Sequence, residues 1–147
     1  MFNPISDLSQ VLRKEWPIEP AGSFILMSGV SGSWVTIDSN GNAELTTTST
    51  QLAWPIWNES SRDGSLGAFT PDVLTSKRVS VIVGKIFATT DQYTGNPVRG
   101  NILKTGALGK LAVATQGTDP AVAMCVNPPY QISYFGTTIN VIDIQVL

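Results

Sequence analysis

Beyond Arg78 the chain alternates short apolar, β-branched runs with turn residues. The run Arg78-Val79-Ser80-Val81-Ile82-Val83-Gly84-Lys85-Ile86-Phe87-Ala88 opens the series. Breaks follow at Thr94-Gly95-Asn96-Pro97, Gly106, Gly109, Gly117-Thr118-Asp119-Pro120 and Asn127-Pro128-Pro129. Short runs punctuated in this way predict an antiparallel all-β fold, a small barrel or sandwich. In the last run, Asn140 takes the outward position at an even number, whereas Asp143 and Gln145 take it at odd numbers. That phase switch predicts a β-bulge near Val141 or Ile142.

The first half is less regular. Ser23-Phe24-Ile25-Leu26-Met27-Ser28-Gly29 and Ser33-Trp34-Val35-Thr36-Ile37-Asp38 read as strands, joined by a Gly-rich turn. Asp38-Ser39-Asn40-Gly41-Asn42 contains Asn-Gly, a strong hairpin signal, and leads into Ala43-Glu44-Leu45-Thr46. Pro55 confines the strand in Leu52-Ala53-Trp54-Pro55-Ile56-Trp57 to an edge or a bulge. Residues 60–72 predict a long surface loop, of the kind that a partner often orders. At the start, Ile5, Leu8, Val11, Leu12 and Trp16 fall at near-helical spacing. Ser6 or Asp7 would cap that helix, and Pro17 and Pro20 would stop it. The expected organisation is an N-terminal arm over 1–20 containing a short helix, then a β domain over 21–147. The arm's apolar stripe packs either on its own domain or on a neighbouring subunit.

Composition narrows the function classes. Charged residues are 14% of the chain, against about 25% in an ordinary soluble domain. The hydrophobic share of 42% is ordinary, so Thr, Ser, Asn, Gln and Gly replace the missing charge. A surface so poor in charge points to neutral hydroxyls and amides or to cover by a partner. Net charge is −2 with scattered Lys and Arg, so no basic stripe predicts nucleic-acid binding. No apolar run reaches the length of a membrane-spanning helix, and the first residues do not form a secretory leader. Neither a membrane nor a nucleic-acid partner is therefore expected.

Catalytic chemistry finds little support. The chain has no histidine, the usual proton-transfer group near neutral pH. Serine hydrolysis then lacks its base, and Lys77 and Lys85 read as solvated strand-edge lysines. The single Cys125, within Ala121-Val122-Ala123-Met124-Cys125-Val126, reads as a buried small hydrophobe. Most carboxylates stand beside Gly, Pro or Asn, where they serve turns. No spaced ligand set suggests a metal, and Gly106-Ala107-Leu108-Gly109-Lys110 departs from a phosphate-binding loop in spacing and in Leu111. No enzyme, cofactor or metal is expected.

Aromatic side chains are better candidates for contact. Trp34 alternates with Val35 and reads as core. Trp54 and Trp57 are three apart and cannot share one face of a regular strand, so at least one is expected to be partly exposed. Tyr130 and Tyr134 follow Pro128-Pro129 and read as loop-packing aromatics.

The stretch Val83-Gly84-Lys85-Ile86-Phe87-Ala88-Thr89-Thr90-Asp91-Gln92-Tyr93 is followed by Gly100-Asn101-Ile102-Leu103-Lys104, Gly109-Lys110-Leu111 and Ala121-Val122-Ala123. This arrangement resembles the capsid decoration, or cement, proteins of tailed bacteriophages. The segment Ala53-Trp54-Pro55-Ile56-Trp57-Asn58-Glu59-Ser60 is similar to phage head proteins. The resemblance covers residues 53–147 and lies in overall layout, with no catalytic motif to transfer. It implies a protein made in the host cytoplasm and carried on the virion. There it would bind the outer capsid surface and bridge major capsid subunits, as a trimer or dimer. Leu8, Leu12 and Trp16 of the arm, with Trp54, Trp57 and Phe69 around the central loop, are the expected contact residues. A tail or head-fibre module, and a carbohydrate-binding domain stacking sugars on Trp54 and Trp57, are the alternatives.

Overall fold

The computed structural model describes residues 2–5, 12–17, 32–50, 52–57, 78–134 and 136–147. Among them the strands are β1 (Phe2–Pro4), β2 (Leu12–Pro17), β3 (Trp34–Ile37), β4 (Ala43–Leu45), β5 (Trp54–Pro55) and β6 (Arg78–Val83). The series continues with β7 (Phe87–Thr90), β8 (Ile102–Thr105), β9 (Leu111–Val113), β10 (Ala123–Tyr134) and β11 (Thr137–Val146). Six of them form one sheet in the order β1-β7-β11-β10-β8-β9. A second sheet runs β4-β3-β5, and β2 pairs with β6 in a third. The all-β expectation holds. The barrel form of it does not, because the sheets are not closed.

Backbone contacts tie the smaller sheets together. Ile56 bridges Val81, and the Trp57 amide donates to the Ser80 carbonyl at 2.9 Å, so β5 leads across to β6. Alternation then gives this layer two apolar faces. Trp34 and Ile82 join a cluster with Phe2, Leu103, Leu111, Cys125, Ile142 and Ile144, which come from the six-stranded sheet. Their neighbours Val35 and Val81 join a separate cluster with Ala43, Leu45, Ile56 and Val79. The first cluster is the shared core of the two layers.

Local sequence explains the turns. The β3–β4 hairpin forms as expected, with Val35 opposite Leu45 and Ile37 opposite Ala43. Asp38 Oδ1 accepts the amides of Asn40 and Asn42 at 2.8 Å each, which closes the loop. Pro55 lies on the edge of its three-stranded sheet, opposite Trp34. The Gly106–Gly109 region is no phosphate loop. Gly109 has φ +67, and a Cβ there would stand 2.8 Å from the Trp34 carbonyl oxygen and 2.9 Å from its nitrogen. Only glycine lets this turn press onto β3.

The helix expected in the arm is overturned where the chain is described. Residues 12–17 form β2 and pair along their whole length with β6, from Leu12 opposite Val83 to Pro17 opposite Arg78. β1 pairs with β7 and places Phe2, 1% exposed, in the shared core. The physical reason lies in the spacing itself. Positions i and i+4, such as Leu12 and Trp16, share a face in a helix and in a strand alike. The available edge of β6 decides between them. The expected strand over 23–29 and the loop over 60–72 lie outside the described residues.

Candidate interaction surface

β10 and β11 are much longer than their neighbours, at 12 and 10 residues. β8 pairs only with Ala123 and Met124, and β7 only with the part of β11 from Ile142 to Gln145. From Tyr130 opposite Val141 to Tyr134 opposite Thr137, the two strands pair with each other alone among the described residues. The hairpin therefore projects from the sheet as a two-stranded ribbon. Gly136, with φ +79, sits in the two-residue loop that reverses the chain.

The ribbon is amphipathic. Directly opposed residues of antiparallel strands point to the same face. The pairs Tyr130–Val141, Ile132–Ile139 and Tyr134–Thr137 make one face, and Gln131–Asn140 and Ser133–Thr138 make the other. The first is aromatic and β-branched, the second wholly polar. Tyr130 is 38% exposed; Ile132, Tyr134 and Ile139 are half-buried.

The orientation of that apolar face follows from register. In the body, Ile142, Ile144 and Val146 of β11 point into the shared core. In the ribbon the apolar positions of β11 are Ile139 and Val141, on the opposite side of the same strand. The register shifts fall on β10, between Cys125 and Asn127 and between Asn127 and Tyr130. In each, β10 advances one residue more than β11. The bulge expected near Val141 or Ile142 thus belongs to the facing strand, and β11 passes through without one. The change of apolar side along β11 is real, and it turns the ribbon's apolar face away from the core side.

A polar network fixes the root of the ribbon. Asp143 stands between Thr89 on β7 and Asn127 on β10, its partners in the two ladders. Its Oδ1 accepts the hydroxyls of Thr89 at 2.7 Å and Tyr130 at 2.8 Å, and its Oδ2 accepts the Asn127 amide at 2.6 Å. Arg99 donates to the Val126 carbonyl at 3.0 Å and to Asn127 Oδ1 at 2.9 Å, holding the bulge from the other side. Burial pushes the Asp143 carboxyl up, but the hydrogen bonds from Thr89, Asn127 and Tyr130 outweigh it and hold the group below its ordinary value. Asn127, Pro128, Pro129, Tyr130 and Asp143 line an open groove of about 400 Å³ at this root.

Cys125 is buried, and its thiol donates to the Asn127 carbonyl at 3.2 Å. Burial, then the nearby Asp143 charge, push the thiol up, so it stays protonated near neutral pH. The buried-hydrophobe reading holds. Asp119 is a turn residue as expected: it accepts the Thr115 amide at 2.8 Å and pairs with Lys104 at 2.9 Å.

The six expected contact residues do not gather into one patch. Leu8 and Phe69 lie outside the described residues, and Leu12 and Trp16 are in β2. Trp54 and Trp57 are both partly buried and go to different clusters, Trp54 to the second and Trp57 to the shared core. They form no common stacking platform. The Tyr130 and Tyr134 reading is corrected as well, since both lie on a strand. Their signal was present in Tyr130-Gln131-Ile132-Ser133-Tyr134, a strict apolar–polar alternation. No protein-family model matches this chain, and no curated protein matches it significantly.

Proposed function

We propose that this chain is a structural protein of a tailed-phage virion, a cement that binds the outer capsid surface and joins neighbouring major capsid subunits. The observation that carries the reading is the projecting ribbon, with its apolar face turned from the protein's own core. Such a face gains apolar burial from a partner at about 25 cal/mol per Å². Its rigid root reduces the ordering cost of docking. The likeness to decoration proteins supplies the partner class, and mass action supplies the benefit. A protein that binds only the mature shell stabilises it by its binding free energy, repeated over many symmetric copies. In this reading the protein performs no catalysis and needs no cofactor.

Co-sedimentation with shells of the major capsid protein from the same genome tests the proposal. Wild-type protein is expected to pellet with expanded shells. Combined Ile132→Ser and Ile139→Ser changes should weaken that binding about tenfold or more, at the usual value of two partly buried isoleucines. Undiminished binding by this variant would remove the ribbon from the interface. Binding to tails or glycans, with shells left bare, would overturn the cement reading.

A further inference from the structure

We infer that the free edge of β11 over residues 137–141 pairs with the same edge of a second copy, antiparallel and about a two-fold axis at Ile139. Three observations carry this, and none depends on a capsid. β7 occupies the β11 edge from Ile142 to Gln145, and among the described residues no strand continues that row beside residues 137–141. Thr137, Thr138, Ile139 and Val141 are β-branched, and the segment holds neither the proline nor the lysine that commonly blunts an exposed edge. β10's own edge, by contrast, contains Pro128 and Pro129, which lack the amide needed for a ladder.

The occupant follows from self-complementarity. With the axis at Ile139, Thr137 faces Val141 of the second copy, Thr138 faces its Asn140, and Ile139 faces its counterpart. Every apolar-face position then meets an apolar-face position, and every polar one a polar one. No charged residue lies between Asp119 and Asp143, so identical ribbons approach without like-charge repulsion. The result is a four-stranded ribbon with Tyr130, Ile132 and Ile139 present twice on one face, an isologous contact of the kind that C2 dimers use.

Sedimentation velocity of the full chain over a concentration series is the test, with cysteine cross-linking beside it. A concentration-dependent dimer is expected. Under oxidation Ile139→Cys should form a disulfide dimer, because opposed residues of an antiparallel pair bring their Cα atoms to about 4.5–5.5 Å. Gln131→Cys, on the other strand, should not, and nor should the wild type with its buried Cys125. Thr138→Lys with Asn140→Lys, both at exposed positions, should leave the fold intact and shift the dimer to monomer, with partial recovery in high salt. A wild-type monomer at every concentration, a trimer, or equal cross-linking through Gln131→Cys would overturn the inference.

Discussion

In the two-layered body, Trp34, Val35, Ile82, Leu103 and Leu111 are no more than 1% exposed, and each strand is pinned by neighbours on both sides or by the shared core. In the ribbon, strands of similar composition pair only with each other among the described residues, and the isoleucines are half-buried. β11 belongs to both regions and changes its apolar side where one becomes the other. The body spends its hydrophobic residues on its own stability, whereas the ribbon leaves part of them for contact. Asp143 stands at the border and makes the second region rigid without burying it.

This division predicts which changes unfold the protein. Removing residues 1–16 is expected to have the largest effect, because it takes Phe2 from the core and strips β1 from β7 and most of β2 from β6. A loss of several kcal/mol, comparable with the whole stability of a small domain, should appear as a missing cooperative transition in thermal denaturation. Gly109→Ala comes next, at about 3 kcal/mol, since it combines a positive φ with a close approach to the Trp34 backbone. Urea denaturation would show it as a lower midpoint.

Asp143→Ala should cost about 2 kcal/mol by leaving Thr89, Asn127 and Tyr130 without their common acceptor. The same change should raise amide exchange in the ribbon while the body stays protected. Acid provides the gentlest probe. The folded carboxyl lies below its ordinary value of 3.8, so its stabilisation is present above that value and is lost as pH falls through the folded pKa. The melting-temperature gap between wild type and Asp143→Asn should therefore narrow below pH 3.8. A gap independent of pH would show that charge plays no part in the clamp.

Much of the body was legible in the sequence. Alternation around Trp34 and Val35, the Asn40-Gly41 turn and Pro55 at an edge all follow from local rules, and the structure follows them. Pairing was harder to read. A spacing of four suits both helix and strand, so Leu12 and Trp16 could not announce β2 until the edge of β6 was known. The phase switch at Val141 and Ile142 was visible, but one strand cannot reveal which of a pair carries the extra residues. Pro128 and Pro129 look like a break, yet they lie in a bulge, where unpaired positions need no amide donor. The ribbon was missed for the same reason: its alternation was in plain view beyond those prolines.

Cryo-electron microscopy of particles made by co-expressing this chain with the major capsid protein of its own genome tests the central claim most directly. Density for the protein is expected on the outer face of the shell, with Tyr130, Ile132 and Ile139 against the capsid subunits. Bare shells beside free protein, or a bound protein whose ribbon points into solvent, would contradict it.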